Sequence, residues 1–231
     1  MLRHRVITTI MTTKAETTLL KLMTWLSPAF PTGGFAYSHG LEWAVEAGDI
    51  ATEADLLPWI VDVLEHGAGW SDAIILRHAH RAEDGAVLAE VAELAEAATP
   101  TRERRAETLA QGDAFAIGAR VWGAPLLDGL AGAAAYPVAV GALARAHGVA
   151  EDATVTAFLH AFTANLVGAA VRLVPLGQTA GLRLLAALEP TIHELAAATR
   201  EATLDDLGGA CFRSDIASMR HETQYTRLFR T

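Results

Sequence analysis

The sequence predicts an all-α fold, a single-domain helical bundle of about nine or ten helices. Three observations carry that expectation. Apolar residues recur at helical spacing in nearly every long segment, strand-type alternation is almost absent, and proline and glycine fall where helices would start or stop. A chain of 231 residues is long enough to bury a sizeable core. It shows no fixed-period repeat and no linker long enough to separate domains.

Leu19, Leu22, Met23 and Leu26 recur at i, i+3, i+4 and i+7 and predict a first amphipathic helix. Tyr37, Leu41, Ala44, Val45 and Gly48 continue one face of a second, expected over 35–47. Thr52 followed by Asp55 reads as a capping box opening a third helix, with Leu56, Ile60, Val63 and Leu64 on its apolar face. Ser71 is the expected cap of a helix through His80, and Val87, Leu88, Val91 and Ala95 mark another. "TRERRAETL" begins a long helix ending near "WGAP". Pro137 suits the first turn of the next and Gly148 its stop. Helices are expected at 152–173, 178–188 and 190–202, with Gly208-Gly209 as the last break. The small residues of "PVAVGALARA" permit close backbone approach, within the bundle or in a two-fold dimer seam at 137–147 and 153–171.

Composition bounds the function. Hydrophobic residues make up 52% and charged ones 19%, which excludes global disorder. Cys211 is the single cysteine, so no intramolecular disulfide and no thiolate zinc site is expected, and a reduced, cytoplasmic setting follows. The first twenty residues do not read as a signal peptide. Residues 1–21 carry +3 and 213–231 carry +2, while 22–212 carry −14. So acidic a body repels phosphate backbones, which argues against nucleic acid and suits protein partners. The uncharged run at 153–171 approaches the length of a membrane span, but its threonines, His160 and Asn165 read better as a buried helix.

The stretch "SPAFPTGGFAYSHGLEWA" places Phe35, Tyr37, Ser38, His39 and Glu42 behind two prolines and a Gly-Gly pair. Ala36-Tyr37-Ser38-His39-Gly40 is a loose nucleophile elbow, yet an elbow needs a strand ahead of the serine, and this proline- and glycine-rich approach cannot supply one. His39 and Glu42, at i and i+3, could share a metal, but two ligands make a weak site. His78 and His80 point to opposite sides of a helix. No phosphate-binding glycine loop is present. In "FRSDIASMRHETQYTRLFR", Phe212, Ile216 and Met219 form an apolar stripe that Tyr225, Leu228 and Phe229 extend, with Arg213, Arg220, Arg227 and Arg230 around it. Such a segment is a docking face or a helix folded back on its own bundle.

"SPAFPTGGFAYSHGLE" and "SDIASMRHETQYTRLFR" closely resemble the urease accessory protein UreF family, as do "YPVAVGALARAHGV", "NLVGAAVRLVPLGQTAG" and "LAALEP" in the same order. The resemblance covers residues 17–231. It implies an all-helical, usually dimeric protein with no enzymatic activity and no cofactor of its own. It also implies partners: UreD (also called UreH), through it the GTPase UreG, and apo-urease, into which the assembly inserts nickel with GTP hydrolysis. Nickel would be handled only transiently. The competing reading is a stand-alone GTPase-activating protein for UreG with an arginine finger.

On this resemblance, residues 1–16 are expected to be a flexible tail, 17–209 the helical domain, and 210–231 a partner-binding segment that gains its final order on docking. The expected partner-binding residues near the start are Phe35, Tyr37, Ser38, His39 and Glu42. Those near the end are Arg213, Arg220, His221, Glu222, Tyr225, Arg227 and Phe229, with Arg220 and Tyr225 as anchors.

Overall fold

A computed structural model describes residues 14–130 and 132–231 of the chain. Among them there is no strand, and apart from three short 3-10 turns and a single turn at Pro125–Asp128 there are ten α-helices. In chain order these elements are α1 (Lys14–Trp25), α2 (Leu41–Glu46), α3 (Glu53–His66), α4 (Ala68–Arg81), α5 (Gly85–Ala97), α6 (Arg102–Ala119), the turn α7 (Pro125–Asp128), α8 (Tyr136–Ala146), α9 (Glu151–Leu173), α10 (Gln178–Ala198) and α11 (Phe212–His221). Helix α1 begins at Lys14, inside the span expected to be a tail; residues 1–13 of that expectation lie outside the described residues.

Local signals explain most boundaries. Thr52 and Asp55 form the expected reciprocal capping box, and Thr101 caps α6 through the Arg104 N–H. Pro137 lies in the first turn of α8, and Gly148, at φ 62°, follows its end. Two expectations fail. Ser71 lies inside α4, which starts at Ala68, and Pro190 lies inside α10, which runs unbroken from Gln178 to Ala198. Proline forfeits one intrahelical hydrogen bond there, and the apolar residues Leu184, Leu188, Ile192 and Leu195, buried along one face, hold the helix through it.

Helix α8 is the axis of the bundle, packed against α4, α6 and α9 with every residue from 137 to 144 buried. A Cβ on Gly141 would lie 2.5 Å from the Leu76 carbonyl oxygen, so α4 and α8 touch backbone to backbone. The small residues of α8 therefore serve packing within the chain, and the expectation of a two-fold seam along 137–147 is corrected. Helix α9 alone among the described residues is long and apolar enough to cross a membrane, yet it is packed against α10, α4 and α8, with Val155, Phe158, Leu159, Leu166 and Ala170 buried. Arg77, fully buried, joins three helices by donating to the Ala196 carbonyl, to Thr199 Oγ1 at 3.2 Å and to Asp152 at 2.9 Å.

The first helix differs from its predicted stripe. Leu22 and Trp25 face the core, while Leu19, Leu20 and Met23 are exposed. At the far end the chain is tied down rather than loose: the Ala210 N–H donates to His66 O at 2.8 Å and Trp70 Nε1 to Asp206 O at 2.9 Å.

Candidate functional site

The motif at 27–44 is a turn more than a helix. A 3-10 turn spans Gly34–Ala36, and regular helix begins only at Leu41. His39 (φ 56°) and Gly40 (φ 76°) lie in succession in the left-handed region, and His39 is the one non-glycine there among the described residues. The expected helix over 35–47, with His39 and Glu42 on one face of it, is corrected accordingly. Glycine at 40 is required twice over, since a Cβ would also lie 2.5 Å from the backbone nitrogen of Ser218 in α11.

That close approach exists because α11 and the residues after it are folded onto this turn. Ser38 donates its N–H and its hydroxyl to the backbone oxygen of Thr231, at 2.7 and 2.6 Å. The Arg230 N–H donates to Ala36 O at 2.8 Å. Glu42, buried, accepts the backbone N–H groups of Leu228 (2.6 Å) and Phe229 (2.8 Å), and His221 Nε2 lies 3.1 Å from the same carboxylate. The other nitrogen of His221, Nδ1, lies 2.8 Å from Glu103, which also takes Arg227 at 3.1 Å. The two segments that carried the family resemblance are thus one structural unit. In the single chain the segment 210–231 is packed on the body.

Helix α6 supplies the floor. Glu103, Glu107 and Gln111, spaced by four, are all buried along one face. Glu107 accepts from Gln111 and from Thr231 Oγ1, both at 2.8 Å, and pairs with Arg104. His39 Nε2 lies 2.8 Å from Glu107 and 3.0 Å from Arg104 Nη1; one ring nitrogen serves only one of these at a time. Burial works against the Glu107 charge, but Arg104 and His39 outweigh it and hold the carboxyl down at about 2. Burial, then Arg104, push the His39 imidazole below its ordinary value against the pull of Glu107.

Around this cluster lie two spaces. An inner cavity of about 380 Å³ is lined by His39, Asp72, Arg104, Glu107, Gln111 and Asn165, with Phe35 and Arg172 at its mouth. Arg172 stacks on Phe35 at 3.5 Å and on Phe229 at 4.3 Å. An outer cleft of about 370 Å³ is lined by Tyr37, Arg102, Glu103, Glu107, Arg227, Arg230 and Thr231. Among the described residues the Asp72 carboxyl has no hydrogen-bond or ion-pair partner, and burial raises it to about 6 despite Arg104.

The outward side is different in kind. Ser214, Ala217, Ser218 and His221 of α11 face the body, while Phe212, Ile216 and Met219 are exposed in the spacing of one helix face. Tyr225 and Leu228 continue the exposed apolar surface, and Arg213, 5.2 Å over the Trp59 ring, and Arg220 flank it.

The expected partner-binding residues therefore divide. Phe35, Arg213, Arg220, Tyr225 and Arg227 are exposed and Glu222 is partly so. Tyr37, Ser38, His39, Glu42, His221 and Phe229 are buried, and as surface contacts of the single chain they are corrected. Their polar groups bind the end of the chain to the turn, and the buried Ser38 hydroxyl donates to Thr231. The sequence reading missed Asp72, Glu103, Arg104, Glu107 and Arg172. The four-residue spacing of Glu103, Glu107 and Gln111 is the signal that marks a buried polar face.

A family model described as UreF matches residues 50–189, more than half of the chain. The chain belongs to the UreF family. Its similarity to curated relatives runs over nearly the whole length. It is 56% identical to "Urease accessory protein UreF" of Rhodopseudomonas palustris (strain BisB5) over 92% of this chain and 91% of that protein. It is 55% identical to the protein of the same description from Bradyrhizobium sp. (strain BTAi1 / ATCC BAA-1182), over 92% of each. The UreF match itself takes in α3 through most of α10, the scaffold on which the turn at 34–40 and α11 are mounted.

Proposed function

We propose that this protein is a non-enzymatic urease accessory factor, a nickel-insertion chaperone. In this reading it works with UreD (UreH) and the GTPase UreG to bring about GTP-dependent incorporation of nickel into apo-urease. Family membership supports the urease role. The observation that carries the mode of action is the outward face of α11, where Phe212, Ile216, Met219 and Tyr225 are exposed although the helix is fixed to the body by its other side. Large apolar side chains held rigidly and ringed by arginine are the chemistry of a protein-docking hot spot, and preorganisation lowers the cost of binding. UreD is the partner assigned to that face.

Nickel is cargo in this scheme. No group of three or more His, Cys, Asp and Glu side chains among the described residues is placed to hold a metal ion. The protein is proposed to make only passing contact with nickel, in the complex. We also propose a cytoplasmic homodimer. With α8 interior, the seam is proposed at the exposed Leu19, Leu20 and Met23 of α1, beside a groove walled by α9 and α10.

Reconstitution tests the function. Purified apo-urease, UreD, UreG, GTP and nickel should yield active urease only when this protein is added. Equal activation in its absence would refute the proposal. Faster GTP hydrolysis by UreG with this protein and no UreD, abolished by one arginine-to-alanine change, would favour the GTPase-activating alternative.

A further inference from the structure

The inner cavity gathers acceptors that the fold leaves unfilled. Asp72 lines it, and its carboxyl has no hydrogen-bond or ion-pair partner among the described residues. The Gln111 amide nitrogen donates to Glu107, while its carbonyl oxygen lies 3.8 Å from the point that a Gly34 Cβ would occupy. The Asn165 carbonyl oxygen lies 3.7 Å from the same point, which glycine leaves open. Neither oxygen has a hydrogen-bond partner among the described residues. Acceptors held away from bulk water are costly unless water or a ligand supplies donors.

The charges around the cavity do not cancel at Asp72. Arg104 is paired with Glu107 and stands beyond ion-pair distance of Asp72. Arg172 is taken up at the mouth, donating from Nε to the Gly168 carbonyl at 3.1 Å and stacking on Phe35 and Phe229. The walls between are aromatic: Phe158, 5.4 Å from the Tyr136 ring, and Phe162, nearly perpendicular to His39 at 4.9 Å. A carboxylate without its own cation, neighbouring carbonyl acceptors and ring faces together are the chemistry that holds organic cations.

We propose that the inner cavity is a binding site for a small organic cation, a primary amine or guanidinium on a short apolar body. Asp72 takes the charged head, Asn165 and Gln111 offer acceptors to its N–H groups, and Phe158 and Phe162 cover the apolar part. A volume of about 380 Å³ suits such a molecule. The site lies on the body of the bundle and does not rest on the docking role given to α11.

Benzylamine is the probe, with benzyl alcohol as its neutral match and benzoate as its anionic match, each added to the full chain and followed by calorimetry and thermal unfolding. Benzylamine should bind and raise the unfolding midpoint, because a ligand of the native state stabilises it; the other two should not. Asp72→Asn keeps the shape and removes the charge, and should weaken benzylamine at least roughly tenfold at pH 7.5. Asp72 is faced by Arg104 and Glu107 of α6 and Asp215 of α11, with His39 of the turn and His160 and Arg172 of α9 around the same spaces. With its carboxyl raised to about 6, affinity in the parent should fall by up to about tenfold per pH unit below 6. That dependence should vanish in Asp72→Asn, which distinguishes Asp72 from the two histidines. Gly34→Ala sets a methyl at ordinary contact distance between the two carbonyl oxygens, without backbone strain, and should weaken benzylamine severalfold while the unfolding curve without ligand holds. Benzoate or benzyl alcohol binding as well as benzylamine, no benzylamine binding to the parent, or equal affinity in parent and Asp72→Asn overturns the site.

Discussion

Ser38 and Thr231, 193 positions apart, are joined by two hydrogen bonds to one oxygen, from the Ser38 N–H at 2.7 Å and from its hydroxyl at 2.6 Å. A serine that looks like a nucleophile in sequence is a clasp for the end of the chain. Around it, Glu42 performs the same task for the residues just before.

Glu42→Ala tests the clasp. The change removes the acceptor of the Leu228 and Phe229 N–H groups and the partner of His221 in one step. Buried donors left unsatisfied cost roughly 1–3 kcal/mol each, so a loss of ~3 kcal/mol is expected on urea unfolding. Amide exchange at Leu228 and Phe229 should rise while α4, α8 and α9 stay protected. A stability equal to that of the parent would contradict the assigned role.

Gly40→Ala tests the contact of α11 with the turn. A Cβ there meets the Ser218 nitrogen at 2.5 Å, and a φ of 76° is strained for alanine as well. Backbone cannot step aside as a flexible side chain can, so ~2 kcal/mol or more of destabilisation is expected. By contrast Gly33→Ala, which meets nothing within 4 Å, bears only the strain of φ 74° and should cost less in the same measurement.

The carboxyls of Glu107, buried, and Asp72, partly buried, make opposite contributions with pH. Glu107, held at about 2 against an ordinary 4.5, stabilises the fold above pH 4.5, and that contribution is lost as the pH falls towards 2. Asp72, raised to about 6 from 3.8, costs stability above pH 6, and the cost disappears as the pH falls through 6 to 3.8. Asp72→Asn should therefore stabilise the protein at pH 8, by up to ~3 kcal/mol at 1.36 kcal/mol per unit, and by almost nothing near pH 3.8. Glu107→Gln should destabilise it at pH 7 by ~3–5 kcal/mol, because Arg104 is left buried without its carboxylate. Denaturation curves at these pH values check both, and a pH-independent difference for Asp72→Asn would contradict the first.

Much of the scaffold was legible in the sequence, and the reasons are local. The Thr52–Asp55 box, the proline opening α8 and the glycine after it act within one or two turns. Pro190 misled because the buried face of α10 outweighs one missing hydrogen bond. Family resemblance singled out both segments of the site but not their contact. That contact is made largely by backbone groups of residues 36, 38 and 228–231, which have no signature in residue type. His39 in the left-handed region was equally hidden, since a histidine there has no signature in residue type. The stripe of Phe212, Ile216 and Met219 was legible; which way it faces was not, because a stripe reads the same packed inward or outward.

Binding of UreD to substituted forms of this protein, followed by titration calorimetry, bears most directly on the claim that α11 is the docking face. Ile216→Asp and Met219→Asp place a charge on that face, where both side chains are exposed and no core packing is lost. Leu182→Asp, exposed on α10, is the control. Truncating or charging a central anchor commonly costs ~2 kcal/mol or more. The account predicts at least a roughly tenfold loss of affinity for the α11 variants, unchanged unfolding curves, and unaltered binding for Leu182→Asp. Parent-like affinity in Ile216→Asp and Met219→Asp would contradict it.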